Sequence, residues 1–115
     1  MKVFRLHWDG GKTEVVEGHN IADAFRRAGY GGGAINVLDW HEPIETTTMG
    51  QIAQELGADT TDVILWFNGV SFKKKRTKLG EGLHLMNRSE QKGEKWLMPT
   101  DEVAEFKQRF QEATA

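Results

Sequence analysis

An α+β fold is predicted for this chain, with a strand-strand-helix-strand unit over residues 1–44 and a helical unit with a hairpin over residues 45–115. Three observations carry that prediction. Val3 to Trp8 (VFRLHW) alternates with the period of a half-buried strand. Met49 to Asn68 places its apolar residues at helical spacing, in two groups separated by Gly57. Leu83 to Met98 returns to short strand-like runs on either side of a polar turn.

In chain order, the first strand ends at Asp9-Gly10-Gly11, a turn able to take left-handed backbone. Thr13 to Glu17 returns as a second strand. Asn20 caps a helix whose apolar face is Ile21, Ala24, Phe25 and Ala28, and Gly29 ends it. Tyr30 is placed to pack across the hairpin. Ala34 to Trp40 reads as a third strand, and Glu42 to Thr48, with Pro43 and three threonines, reads as the junction between units. About forty residues form a small core, so this unit is expected to pack on the other one or on a second copy. It would then serve dimerisation or bind a protein partner.

The second unit begins with MGQIAQELGADTTDVILWFN. Ile52 and Leu56 share one face of a first helix. Val63, Trp66 and Phe67 share one face of a second. Ala53 is small enough for a close helix crossing, Gly57 ends the first helix, and Asp59, Thr60 or Thr61 caps the next. Five basic residues (Lys73, Lys74, Lys75, Arg76 and Lys78) then fall within eight positions. Leu83 to Asn87 reads as a strand, Arg88 to Glu94 as a turn, and Lys95 to Met98 as the returning strand closed by Pro99. Thr100 caps a last helix with Asp101 and Glu102 in its first turn and Val103, Phe106 and Phe110 on one face.

Helix, turn, helix, basic segment, hairpin and capped helix is the order of a winged helix-turn-helix. Over about residues 46–113 the chain resembles the excisionase and MerR-like small winged-helix DNA-binding domains, through IAQELG, DVILWF, the aromatic strand KWLMP and TDEVAEFKQRF. The resemblance implies a second helix that enters the DNA major groove and a hairpin wing along the phosphates.

With Val63 and Trp66 inward, the second helix would expose Asp59, Thr60, Thr61, Asp62, Ile64, Leu65 and Asn68. Thr60, Thr61 and Asn68 have the chemistry to read base edges, Asn suiting adenine and the Thr methyl suiting thymine. Ile64 and Leu65 would instead form an interaction surface for a protein, since exposed apolar pairs mark interfaces. The charge pattern is uneven. The whole chain carries 15 basic and 17 acidic residues. Ser71 to Met98, however, holds eight basic against three acidic, a balance of +5 that includes Lys78, Arg88, Lys92 and Lys95.

Composition bounds the function classes. There are no cysteines, which removes disulfides and thiolate metal sites. No apolar run reaches membrane-spanning length, and MKVFRLHWDGG is strand-like rather than signal-like, so a cytoplasmic protein away from membranes is expected. The four histidines show no metal-ligand spacing, no residue sits in a nucleophile elbow, and Gly29 to Gly33 follows a helix instead of preceding one. No enzyme activity, metal or cofactor is expected. The expected function is site-selective binding of double-stranded DNA by a homodimer, as a transcriptional regulator or a recombination or plasmid accessory factor. A protein-interaction module on the same fold is the alternative. A third reading is RNA or single-strand binding with Trp66, Phe67, Phe72 or Trp96 as stacking platforms.

Overall fold

Alternation in the first strand becomes a sheet with two unlike faces. The computed structural model describes residues 1–69, 77–88 and 95–115, Lys95 by its backbone only. These residues form two compact units, Met1–Glu45 and Thr46–Ala115. Both helices and sheets are present, and the fold is α+β.

The first unit comprises β1 (Lys2–Trp8), β2 (Thr13–Gly18), α1 (Ile21–Arg27) and β3 (Leu38–Ile44), with antiparallel strand order β2-β1-β3. Phe4, Leu6 and Val16 pack against Ala24 and Phe25 of α1, with Trp8, Tyr30 and Leu38 around them. Arg5 and His7 point to the other face of β1, as the period of a strand requires. His7 is in register with Trp40, and the two rings stack at 3.7 Å. His7 Nε2 also lies 2.7 Å from Glu42 Oε2.

The predicted third strand is shifted. Residues 32–37 form a 3-10 turn, and the strand runs Leu38–Ile44, through Pro43. The glycines at 31–33 let the chain coil, Ala34 N–H closes on Gly31 O at 3.0 Å, and Asp9 N–H holds Val37 O at 3.0 Å. Pro43 is tolerated because β3 is an edge strand, where a missing donor disrupts no ladder. Ala28, expected on the apolar face of α1, lies at its exposed C-terminal cap.

The second unit comprises β4 (Thr46–Thr48), α2 (Met49–Leu56), α3 (Thr60–Asn68), β5 (Met86–Arg88), β6 (Lys95–Pro99) and α4 (Val103–Thr114). Its sheet is antiparallel with order β4-β6-β5. The threonines expected to break periodicity are themselves a strand, as β-branched residues favour. Thr48 also caps α2 by accepting from Gln51 N–H at 3.2 Å. The strand expected from Leu83 starts only at Met86, because His84 N–H donates to Glu102 Oε1 at 2.7 Å instead of to a ladder. Thr100 is not the cap of the last helix. Its hydroxyl meets that of Thr47 at 2.9 Å, and Thr100–Glu102 is a single 3-10 turn ahead of α4. Ile52 and Ala53 of α2, Val63 and Phe67 of α3, Met98 of β6, and Val103, Phe106 and Phe110 of α4 form the core, with Met49 and Leu79.

Two positions in the first unit carry testable consequences. A Cβ on Gly18 would sit 2.4 Å from Ala24 N, so α1 rests directly on the end of β2. Gly18→Ala should force helix and strand apart and cost about 1–3 kcal/mol in a denaturant melt. An unchanged midpoint would mean that α1 does not pack there. Asp23 is buried at the start of α1. Its own N–H donates to the Asn20 cap at 2.8 Å, while its carboxylate accepts from His19 N–H at 2.9 Å, from Arg27 Nε at 2.9 Å and from Arg26. The His19 N–H first, then the Arg27 and Arg26 guanidiniums, hold this carboxyl well below its ordinary 3.8, against the opposing effect of burial. A depressed pKa contributes stability that is present above the unfolded value and lost as pH falls through the folded one. Asp23→Asn should therefore be less stable than the parent at neutral pH, and the gap should close in strong acid. A gap independent of pH would contradict the ionised network.

Candidate nucleic-acid interface

The turn between α2 and α3 sets which residues face outward. Gly57 has φ 66°, a left-handed value that favours glycine, and it ends α2. Ala58 N–H donates to Ala53 O at 2.9 Å and Gly57 N–H to Gln54 O at 3.1 Å, the paired bonds of a Schellman ending. Asp59 then caps α3, accepting from Asp62 N–H at 3.4 Å. Asp59, of the three residues expected to do so, is the cap.

Val63 and Phe67, at i and i+4, are the buried pair on α3. Phe67 lies 5.5 Å from Phe106, and Trp66 meets Phe110 edge-on at 6.2 Å. Trp66, expected inward with Val63 and Phe67, is only half-buried against the same core. Ile64 also packs against the core. Expected to be exposed, Ile64 is instead half-buried there. The outward row is Thr61, Leu65 and Asn68, at i, i+4 and i+7. Thr61 and Asn68 are exposed, and Leu65 and Thr60 are half-buried.

The C-terminal end of α3 is joined to a basic side chain. Leu79 N–H donates to Trp66 O at 3.1 Å and Gly80 N–H to Phe67 O at 3.0 Å. A Cβ on Gly69 would fall 2.9 Å from Lys78 Cβ, so Lys78 passes directly against the last turn of α3. Lys78 is exposed and 3.9 Å from Glu81, a screened pair worth little. Asn68 and Lys78 therefore share one end of the helix, where a cation also suits the dipole. Asp59 and Asp62 occupy the other end.

The remaining predicted residues divide. Arg88 closes β5 in register with Lys95 of β6. Lys73, Lys74, Lys75, Arg76 and Lys92 lie outside the described residues, as does Phe72. Of the proposed stacking platforms, Phe67 is buried, and Trp66 and Trp96 pack against the same core. Phe67 is thus closed to a base, while Trp66 and Trp96 are half-buried.

Arg109 adds to this surface a role that the sequence does not announce. Its Nη1 donates to Leu79 O at 2.8 Å and Glu81 O at 2.7 Å, and its Nη2 to Glu105 Oε1 at 2.9 Å. Glu105 and Arg109 stand at i and i+4, a visible helix pair, but capture of loop carbonyls leaves no sequence signal. His84 and Glu102 act similarly, with Nδ1 and Oε2 2.8 Å apart. Both anchors tie residues 79–84 to the start and middle of α4.

Among the described residues no group of three or more His, Asp or Glu side chains could hold a metal ion, and no helix is long and apolar enough to cross a membrane. No family model matches the chain, and neither a curated protein nor a solved structure matches it.

Arg109→Ala should release the segment that carries Lys78. We expect a loss of about 1.5 kcal/mol, the scale of hydrogen bonds to a charged donor partly in water. Amide exchange at Leu79 to Gly82 should accelerate more than at Val63. Equal acceleration at both would mean that Arg109 stabilises the whole unit instead of this segment.

Proposed function

We propose that residues 46–115 are a winged helix-turn-helix that binds double-stranded DNA site-selectively, with α3 in the major groove and β5–β6 beside the phosphates. The observation that carries this reading is that Lys78 passes against Gly69, the residue that ends the helix bearing Thr61, Leu65 and Asn68 on its outward arc. Base-reading chemistry on α3 is followed directly in the chain by Ser71 to Met98, the segment whose charge balance is +5. Asp59 and Asp62 repel phosphates at the other end, so the duplex is met by the C-terminal half of α3. Asn68 and Leu65 then contact bases, through an amide that pairs with adenine and methyls that meet thymine. One short helix and a wing bury little surface, so two copies on two half-sites are part of the proposal. Such a protein serves as a small transcriptional regulator or as an accessory factor of recombination or plasmid maintenance.

Leu65 favours a second reading, in which the same row binds a protein. Being apolar and at the centre of the row, it suits either a thymine methyl or a protein partner.

Fluorescence anisotropy with duplex DNA at two salt concentrations separates the readings. Neutralising Lys73, Lys74, Lys75 and Arg76 with glutamine should weaken binding and lower the salt slope by roughly one for each phosphate no longer neutralised. Asn68→Ala should relax preference at one base position by about 1–3 kcal/mol if its pairing is bidentate. Leu65→Lys should tighten non-specific duplex binding. Unchanged DNA binding in the quadruple variant, or loss of a protein complex in Leu65→Lys with DNA affinity unaltered, would overturn the DNA reading.

A further inference from the structure

The first unit contains a cleft that the DNA reading does not use. It has a volume of about 470 Å³, within the range of small-molecule sites. One wall is aromatic: the rings of Trp8 and Tyr30 stand 5.2 Å apart at 60°. The second wall is aliphatic, from Ala34 and Val37 of the 3-10 turn. Val37 is 53% exposed, a large apolar side chain left in water beside an aromatic pair.

Charge in the cleft leans negative. Asp9 and Glu14 line it, against the single ammonium of Lys12. The Glu14 carboxylate is held by a side-chain bond, and Asp9 is anchored through its backbone. Tyr30 O–H donates to Glu14 Oε2, leaving Oε1 for another donor. The backbone N–H of Asp9 donates to Val37 O at 3.0 Å, which ties the hairpin turn to the opposite wall. The phenol itself remains a neutral donor at physiological pH, since burial and then the Glu14 bond push its pKa up to about 12. The Trp8 ring, stacked on Phe25 behind it, the Tyr30 ring, an apolar wall and an excess of carboxylate form the recognition chemistry of an organic cation. Ring quadrupoles and carboxylates both attract positive charge, and the rings and Val37 take the apolar body.

We propose that this cleft binds a small ammonium compound with an apolar body. A neutral molecule of the same shape keeps the apolar contacts and loses both attractions. A carboxylate of the same size is repelled by Asp9 and Glu14.

The test uses the full chain and choline as the probe, followed by amide and indole NMR shifts. Choline should produce saturable shifts at the Trp8 indole, Tyr30 and Val37. Its neutral isostere 3,3-dimethyl-1-butanol should bind roughly tenfold more weakly, the scale of a desolvated cation–π contact. Glu14→Gln keeps an acceptor for Tyr30 while removing the charge. Combined with Asp9→Asn it should weaken choline roughly tenfold with the rest of the spectrum unchanged, as expected for loss of the attracting charges. Equal binding of choline and its isostere would overturn the proposal. So would shifts that appear outside the cleft alone, or that never saturate.

Discussion

The packing of Phe67 decides what the second unit can present to a partner. Its ring lies against Phe106, which is fully buried and in turn neighbours Phe110. On the other side it meets Gly80 so closely that a Cβ there would fall 2.4 Å from Cε1. The Phe67 carbonyl accepts from the Gly80 N–H as well. One residue therefore fixes the rotation of α3, its distance from α4 and the path of the chain that leaves it. Side chains in close-packed cores have few alternative arrangements, so such packing is stiff.

From that packing the outer surface follows. With Val63 and Phe67 inward, Thr61, Leu65 and Asn68 must face out, because they stand on the opposite arc of a 3.6-residue helix. The same carbonyl end that receives Leu79 and Gly80 brings Lys78 against Gly69, at the end of α3. Arg109 and the His84–Glu102 pair hold the following residues to α4. The polarity of α3, acidic at its start and basic at its end, is thus a consequence of core packing and not of helix sequence alone. That polarity supports a docking mode led by the C-terminal half of the helix.

Local, periodic features are legible in the sequence. The Asn20 cap, Gly57, the two groups of helical apolar residues and the aromatic strand ending at Pro99 all declare themselves within a few residues, because caps, turns and amphipathic faces depend on near neighbours. What escapes depends on distant groups. The 3-10 turn over 32–37 is set by a bond from Asp9, the delayed start of β5 by Glu102, and the role of Thr100 by Thr47. Each is a side-chain or backbone group diverted by a partner far along the chain. Asp23 is an intermediate case: Asn20 and Asp23 stand three apart at a helix start, a capping pattern open to reading. On α3, Val63 and Phe67 are buried as their spacing implies, while Trp66 is half-buried and Ile64 packs against the core beside them. The cleft of the first unit has no sequence signature, since its walls come from a hairpin turn, a residue after α1 and a 3-10 turn.

The proposed DNA surface joins the outward row of α3 to Lys78. Amide chemical-shift mapping during titration with a short duplex addresses it residue by residue. The largest shifts are expected at Thr61, Leu65, Asn68 and Lys78, with smaller ones at Arg88, and little change at buried Val63 and Phe67. Shifts confined to the first unit, or none at Asn68 and Lys78 under saturating duplex, would contradict it.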